Sequence, residues 1–215
     1  MNNLTISRIP SLTNIFIIPP MKMFFRSSMR LIVILFNIYL NRYNLVFLDE
    51  SSATTSLSRL YGRSDVGKRL SGSSPYGHWM TVSMLCAVRI DGPIAPLLVD
   101  GAVDGAMFTA WLEQFLVREL RPGDVVIMDN LNTHRVAGVS KVLSAAGHSF
   151  CYLPPYSPDF NPIENMWSKV KSILRRLAAR TFEALSDAVK TAILSVTEDD
   201  CKGFFQNCGC RSTSI

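Results

Sequence analysis

Three acidic residues stand in settings that suit them to hold metal. Asp49 ends the run Leu45-Val46-Phe47-Leu48-Asp49-Glu50, and Asp129 ends Val125-Val126-Ile127-Met128-Asp129-Asn130. Glu164 follows Asn161-Pro162-Ile163. Two carboxylates at strand ends and a third opening a helix can converge on one point. Converging carboxylates bind hard divalent cations, and such centres carry out phosphoryl transfer. Each residue also has an ordinary reading. A lone Asp after a strand is commonly a solvated residue at the start of a loop. Glu164 fits a helix start, with Asn161 as N-cap, Pro162 at the first position and the Glu three residues after the cap. For Glu164 the two roles are compatible, because a helix that begins near a sheet edge presents its first-turn carboxylate there.

The elements that must position these residues are legible from the apolar pattern. Leu45 to Leu48 and Val125 to Met128 are continuous apolar runs, as expected of strands buried on both faces. Residues 51–76 are polar and read as a long loop, made basic by Arg59, Arg63, Lys68 and Arg69. Loops of that length in a compact domain are usually functional or mobile. Residues 78–90 read as a strand, Asp91-Gly92 as a tight turn and residues 94–99 as the hairpin partner. Residues 104–120 read as a helix with Ala106, Phe108, Trp111, Leu112, Phe115 and Leu116 on one side. A short helix over 135–146, a strand over 149–153 and helices over 162–179 and 182–196 follow. The predicted class is α/β, a mixed sheet flanked by helices.

On the helix opened by Glu164, the 100° period puts Ile163, Met166, Trp167, Val170, Leu174 and Leu177 on an apolar stripe. Glu164, Ser168, Lys171 and Arg175 form the adjoining polar stripe. A carboxylate at one end with cations further along suits a phosphate backbone entering a metal site. An ordinary solvated face has the same composition. Lys169, Arg176 and Arg180 lie further round and read as solvating. Asn130 and His134 follow Asp129 closely, where they could orient water or phosphate. His134 could equally cap a helix or be satisfied in packing.

The bulk composition bounds the class. The chain has 215 residues, 48% hydrophobic and 18% charged, which is the balance of a globular protein. Lys and Arg number 22 against 17 Asp and Glu, a net charge of +5 that permits a polyanionic partner. Five cysteines, an odd number, fit a reduced cytoplasmic protein better than a disulfide framework. Cys201, Cys208 and Cys210 cluster near the end, but without a CxxC pair they make a weak case for zinc. The apolar stretch 31–40 is too short for a membrane span. No P-loop, dinucleotide fingerprint or nucleophile elbow is present.

Taken together, Phe47-Leu48-Asp49-Glu50-Ser51, Val126-Ile127-Met128-Asp129-Asn130 with His134, and Tyr156-Ser157-Pro158-Asp159-Phe160-Asn161-Pro162-Ile163-Glu164-Asn165-Met166-Trp167 resemble the DDE-type transposases of bacterial insertion sequences related to the mariner elements. Thirty-four residues separate Asp129 from Glu164, the spacing of that group. The segment Cys201 to Gly209 resembles the end of these proteins. The resemblance implies a ribonuclease-H-like, retroviral-integrase-like catalytic domain over residues 43–198, followed by a tail over 199–215. It implies Asp49, Asp129 and Glu164 as catalytic ligands of two Mg2+ ions, with Mn2+ as a substitute. It implies DNA as partner, both transposon ends and target, in a homodimer. Arg63, Lys171 and Arg175 are then the candidate DNA contacts, with Asn130, His134 and Asn161 in support. Residues 1–42 lack the paired helices of the family's end-reading modules. That departure carries the expectation of a catalytic part alone, with the alternative of a truncated, inactive or regulatory fragment that binds DNA or full-length transposase.

Overall fold

The near-continuous apolar run at Leu45 starts the central strand of a five-stranded sheet. The computed structural model describes residues 42–59, 61–71, 77, 79–129, 137–153 and 158–210. After a 3-10 turn at Arg42–Asn44 come β1 (Leu45–Thr54), β2 (Thr81–Arg89) and β3 (Gly92–Asp100). A first long helix, α1, is α-helical over Gly105–Trp111, π-helical over Leu112–Leu116 and α-helical again over Val117–Glu119. Then follow β4 (Val125–Met128), α2 (Ala137–Ala145), β5 (Ser149–Tyr152), α3 (Pro162–Leu177), α4 (Phe182–Leu194) and α5 (Glu198–Asn207).

The strand order is β3-β2-β1-β4-β5. The first three strands form an antiparallel meander, whereas β1 pairs parallel with β4 and β4 parallel with β5. This is the mixed α/β sheet expected from the sequence. Because side chains alternate across a sheet, each strand feeds two cores. Leu45, Phe47, Cys86 and Ile127 pack with α3, α4 and α5 on one face. Val46, Leu48, Ala87, Val126 and Met128 pack with α1 and α2 on the other.

Several boundaries differ from the sequence reading. β1 runs on to Thr54 rather than ending at Asp49, because its second half pairs antiparallel with β2, Ser51 opposite Met84 and Thr54 opposite Thr81. The connection after it is shifted rather than shortened, to residues 55–80, and β2 starts at Thr81. On α1, Phe108, Trp111, Leu112 and Leu116 are buried as the wheel requires, but Ala106 and Phe115 are exposed. The π segment explains Phe115. Its wider i→i+5 turn advances fewer degrees per residue, which brings Leu116 into the stripe and carries Phe115 out. Leu177 is exposed at the last turn of α3, where Ala178 adopts a left-handed conformation that ends the helix. The segment read as a tail from residue 199 contains most of α5, started by a capping box between Thr197 and Asp200. Cys201 and Phe205 of α5 are buried in the core, Phe205 edge-on to Phe47 of β1.

A buried ion pair fixes the entry to β4. Arg89, at the end of β2, donates from Nη2 to Asp124 Oδ2 at 2.6 Å and to the Glu119 carbonyl at 3.1 Å. The Arg121 backbone N–H donates to the same carboxylate at 2.8 Å. Both charged side chains are 2% exposed. Removing one member of such a pair leaves the other charged and buried, at a cost of about 3–5 kcal/mol. Asp124→Ala should therefore lower the unfolding free energy by about that amount, read as a lower urea midpoint with an unchanged slope.

Candidate metal centre

Strand register brings the two aspartates together. The parallel pairing of β1 with β4 runs from Leu45 opposite Val125 to Leu48 opposite Met128, so Asp49 and Asp129 occupy the next position on each strand. Neighbouring strands lie about 5 Å apart, within the span one cation can bridge. Asp49 lies opposite Cys86, whose side chain belongs to the α3-side core. Asp129 continues the parity of Ile127, which belongs to the same core. Both aspartates are therefore assigned to the face covered by α3. Glu50, one residue on, has the parity of Leu48 and the opposite face.

Asp49 is 7% exposed, and its Oδ1 accepts the backbone N–H of Glu50 at 2.8 Å. Asp129 is partly exposed just past the end of β4, where the Leu153 N–H donates to the Met128 carbonyl at 2.8 Å and extends the ladder. Glu164 sits in the first turn of α3 with an exposed side chain. Among the described residues, no three acidic, His or Cys side chains are drawn together tightly enough to hold a metal.

The start of α3 also corrects the reading of Asn161. Its backbone has the extended conformation of an N-cap, and Pro162 takes the first helical position. Its side chain makes no capping hydrogen bond. Asn161 is 3% exposed, and its Oδ1 is shielded from solvent without a hydrogen-bond partner. Leaving a polar atom so costs about 1–3 kcal/mol. The donors along this edge are carboxylate oxygens with an orphaned amide oxygen three residues from Glu164, a chemistry suited to a hard divalent cation.

Of the candidate DNA contacts, Lys171 and Arg175 are partly exposed along α3 and Arg63 is exposed beyond β1. Asn130 and His134 lie outside the described residues. Two cations read as solvating hold structure instead. Lys169 pairs with Asp200 of α5 and donates to the Ser195 carbonyl at 3.2 Å, which ties α5 against α3. Arg180 donates to the carbonyls of Thr55 and Leu57, where the chain leaves β1. These contacts span 26 to 125 residues, so no local pattern announces them. Burial pushes the five thiols up, Cys86, Cys151 and Cys208 to about 12 and Cys201 and Cys210 to about 11. No helix among the described residues is long and apolar enough to cross a membrane.

Comparison with known proteins gives the following similarities. The profile of a family described as DDE superfamily endonuclease matches residues 44–186. No curated protein matches. Among solved structures, the chain resembles the catalytic domain of Mos1 mariner transposase at 12% identity and a TM-score of 0.61, covering 88% of this chain and 91% of that one. It resembles a pre-cleavage Mos1 transpososome at 13% identity and TM-score 0.68, covering 84% and 57%. It resembles the Mos1 mariner paired end complex with Mn at 14% identity and TM-score 0.69, covering 95% and 64%. The chain thus spans somewhat under two thirds of the transposase chains in those assemblies. At these identities the likeness is one of fold, ribonuclease-H-like, and it agrees with the expected class.

The α3–α5 tie has a defined pH dependence. The Lys169 ammonium, and then the Thr197 N–H, hold the Asp200 carboxyl down to about 2. A carboxyl depressed below its unfolded value near 3.9 stabilises the fold above that pH and loses the contribution as pH falls toward 2. The pair is partly exposed, so the contribution is about 1 kcal/mol or less. Lys169→Met should return the Asp200 titration toward the ordinary range and flatten this part of the stability curve. Carboxyl NMR titration and urea unfolding at pH 5 and pH 3 would check it.

Proposed function

This chain belongs to the DDE superfamily of endonucleases, and on that premise we propose that it is the catalytic domain of a mariner-related transposase. In this reading it cleaves DNA at the ends of a mobile element and joins the freed 3′-hydroxyl to target DNA. The observation that carries the reading is the adjoining placement of Asp49 and Asp129 on parallel strands, on the face where α3 begins with Glu164. Asp49, Asp129 and Glu164 would hold two divalent cations, Mg2+ or Mn2+. When bound, these supply the positive charge that stabilises the attacking and leaving oxygens of an in-line displacement at phosphorus.

The chain's own residues supply the frame. The Glu50 amide fixes one oxygen of Asp49, and burial holds that side chain in place. Glu164, exposed in the first turn of α3, would complete the ligand set. Lys171 and Arg175 continue the same helix face and would meet backbone phosphates without reading sequence. Arg63 would add a further phosphate contact from the segment beyond β1. The resembled Mos1 assemblies are paired-end complexes, which supports a dimer holding two element ends.

The test is nicking of element-end DNA by the wild type and by Asp49→Asn, Asp129→Asn and Glu164→Gln, with Mg2+ or Mn2+ and with chelator. Removal of a ligand forfeits several kcal/mol of transition-state stabilisation, so each variant should lose about a hundredfold or more in rate while keeping its unfolding midpoint. Equal nicking by the wild type and Asp129→Asn would reject the assignment.

A further inference from the structure

The neck of the basic segment after β1 is held by a contact outside the carboxylate site. Thr55 is 2% exposed. Its N–H donates to the Met80 carbonyl at 3.1 Å, and its Oγ1 accepts the Met80 N–H at 3.1 Å, so the two ends of the segment are cinched together. Arg180 then donates from a single nitrogen, Nη1, to the Thr55 carbonyl at 2.7 Å and the Leu57 carbonyl at 2.9 Å. Two carbonyls gripped by one nitrogen fix the direction in which the backbone leaves the sheet. Arg180 itself lies between Ala178, the left-handed residue that ends α3, and Thr181, the N-cap of α4. The guanidinium thereby staples the α3–α4 corner to the exit of β1. One of those elements carries Glu164 and the other Asp49. Beyond the staple the segment carries the exposed cations Arg59, Arg63, Lys68 and Arg69.

We propose that Arg180 is a positioning residue, which acts on DNA through the segment it staples rather than by touching DNA itself. The proposal rests on the DNA-cleaving reading above. Arg180 directs the chain beyond Leu57 so that its cations meet phosphate, and it acts at the end of α3 opposite Glu164. A direct phosphate contact is the rival role for an exposed Arg, and the two differ in coupling. A residue that works through the segment loses its effect once the segment's cations are gone, whereas an independent contact adds to theirs.

The experiment uses the full chain as wild type, Arg180→Ala, Arg180→Lys, a segment variant with Arg59, Arg63 and Arg69 changed to Ala, and the combination of Arg180→Ala with that variant. Duplex DNA affinity and the kcat and KM of metal-dependent nicking are measured, with the rate of trypsin cleavage within residues 57–71 in the absence of DNA. Arg180→Ala should raise Kd and KM about tenfold, the size expected for lost phosphate contacts, and leave kcat within about twofold. Arg180→Lys should recover most of the loss, because one ammonium can reach both carbonyls. The combination should be no weaker than the segment variant, and trypsin should cut Arg180→Ala faster at Arg63 and Lys68. If Arg180→Ala does not fold, Arg180→Gln replaces it with the same expected pattern. Full additivity with the segment variant, or unchanged trypsin cleavage, overturns the proposal. A wild type that neither binds nor nicks DNA sinks the reading beneath it, whereas a working wild type with additive variants sinks the positioning role alone.

Discussion

The parallel pairing of β1 with β4 is the constraint on which the site depends. With Leu48 opposite Met128, the next residue on each strand is an aspartate of the same parity. A slip of one residue in β4 would send Asp129 to the opposite face, among the side chains that pack against α1 and α2. The register is secured from both sides. Val46, Leu48, Val126 and Met128 are buried against one helical layer, and Leu45, Phe47 and Ile127 against the other. Neither strand can shift without moving apolar side chains out of both cores. The Arg89–Asp124 pair sets the start of β4 in addition. Hydrophobic packing thus places two like charges where they would not place themselves.

Much of this was legible in the sequence because the apolar runs are short, pure and followed by acid. Leu45 to Leu48 and Val125 to Met128 could be little else but strands buried on both faces. The stripe on α3 had the helical period. What escaped the sequence had tertiary causes. The second half of β1 is polar, and it is a strand because β2 is there to pair with it. Phe115 turned outward because a π turn changed the angular step. Asn161 kept a cap's backbone but not its side-chain bond. Lys169 and Arg180 looked like ordinary surface cations, since their partners are distant in the chain. Of the candidate site, the sequence showed where Asp49, Asp129 and Glu164 would fall, after two strands and in the first turn of a helix. The staple at the β1 exit was not visible there.

The segment after α4 shows how a short helix becomes structural. Three acidic residues in the first turn of α5 suit the positive end of the helix dipole. The capping box at Thr197 satisfies the first N–H groups. Lys169 then ties that end to α3, and Phe205 plugs the core beside Phe47. The buried thiols of Cys201, Cys208 and Cys210 act here as small apolar groups, because the thiolate form is disfavoured throughout the pH range of a cell.

The central pairing joins stretches of chain that are far apart, and the strands of the meander and α1 must be made between them. Loop closure of that span is costly until the surrounding layers repay it. During synthesis, therefore, β1 waits for its parallel neighbour until the ribosome has released β4, and the three acids cannot come near one another until α3 has also emerged. A half-made chain cannot assemble the cluster from a local fragment. Any joint action of the three acids would thus be deferred by topology alone until α3 has been made.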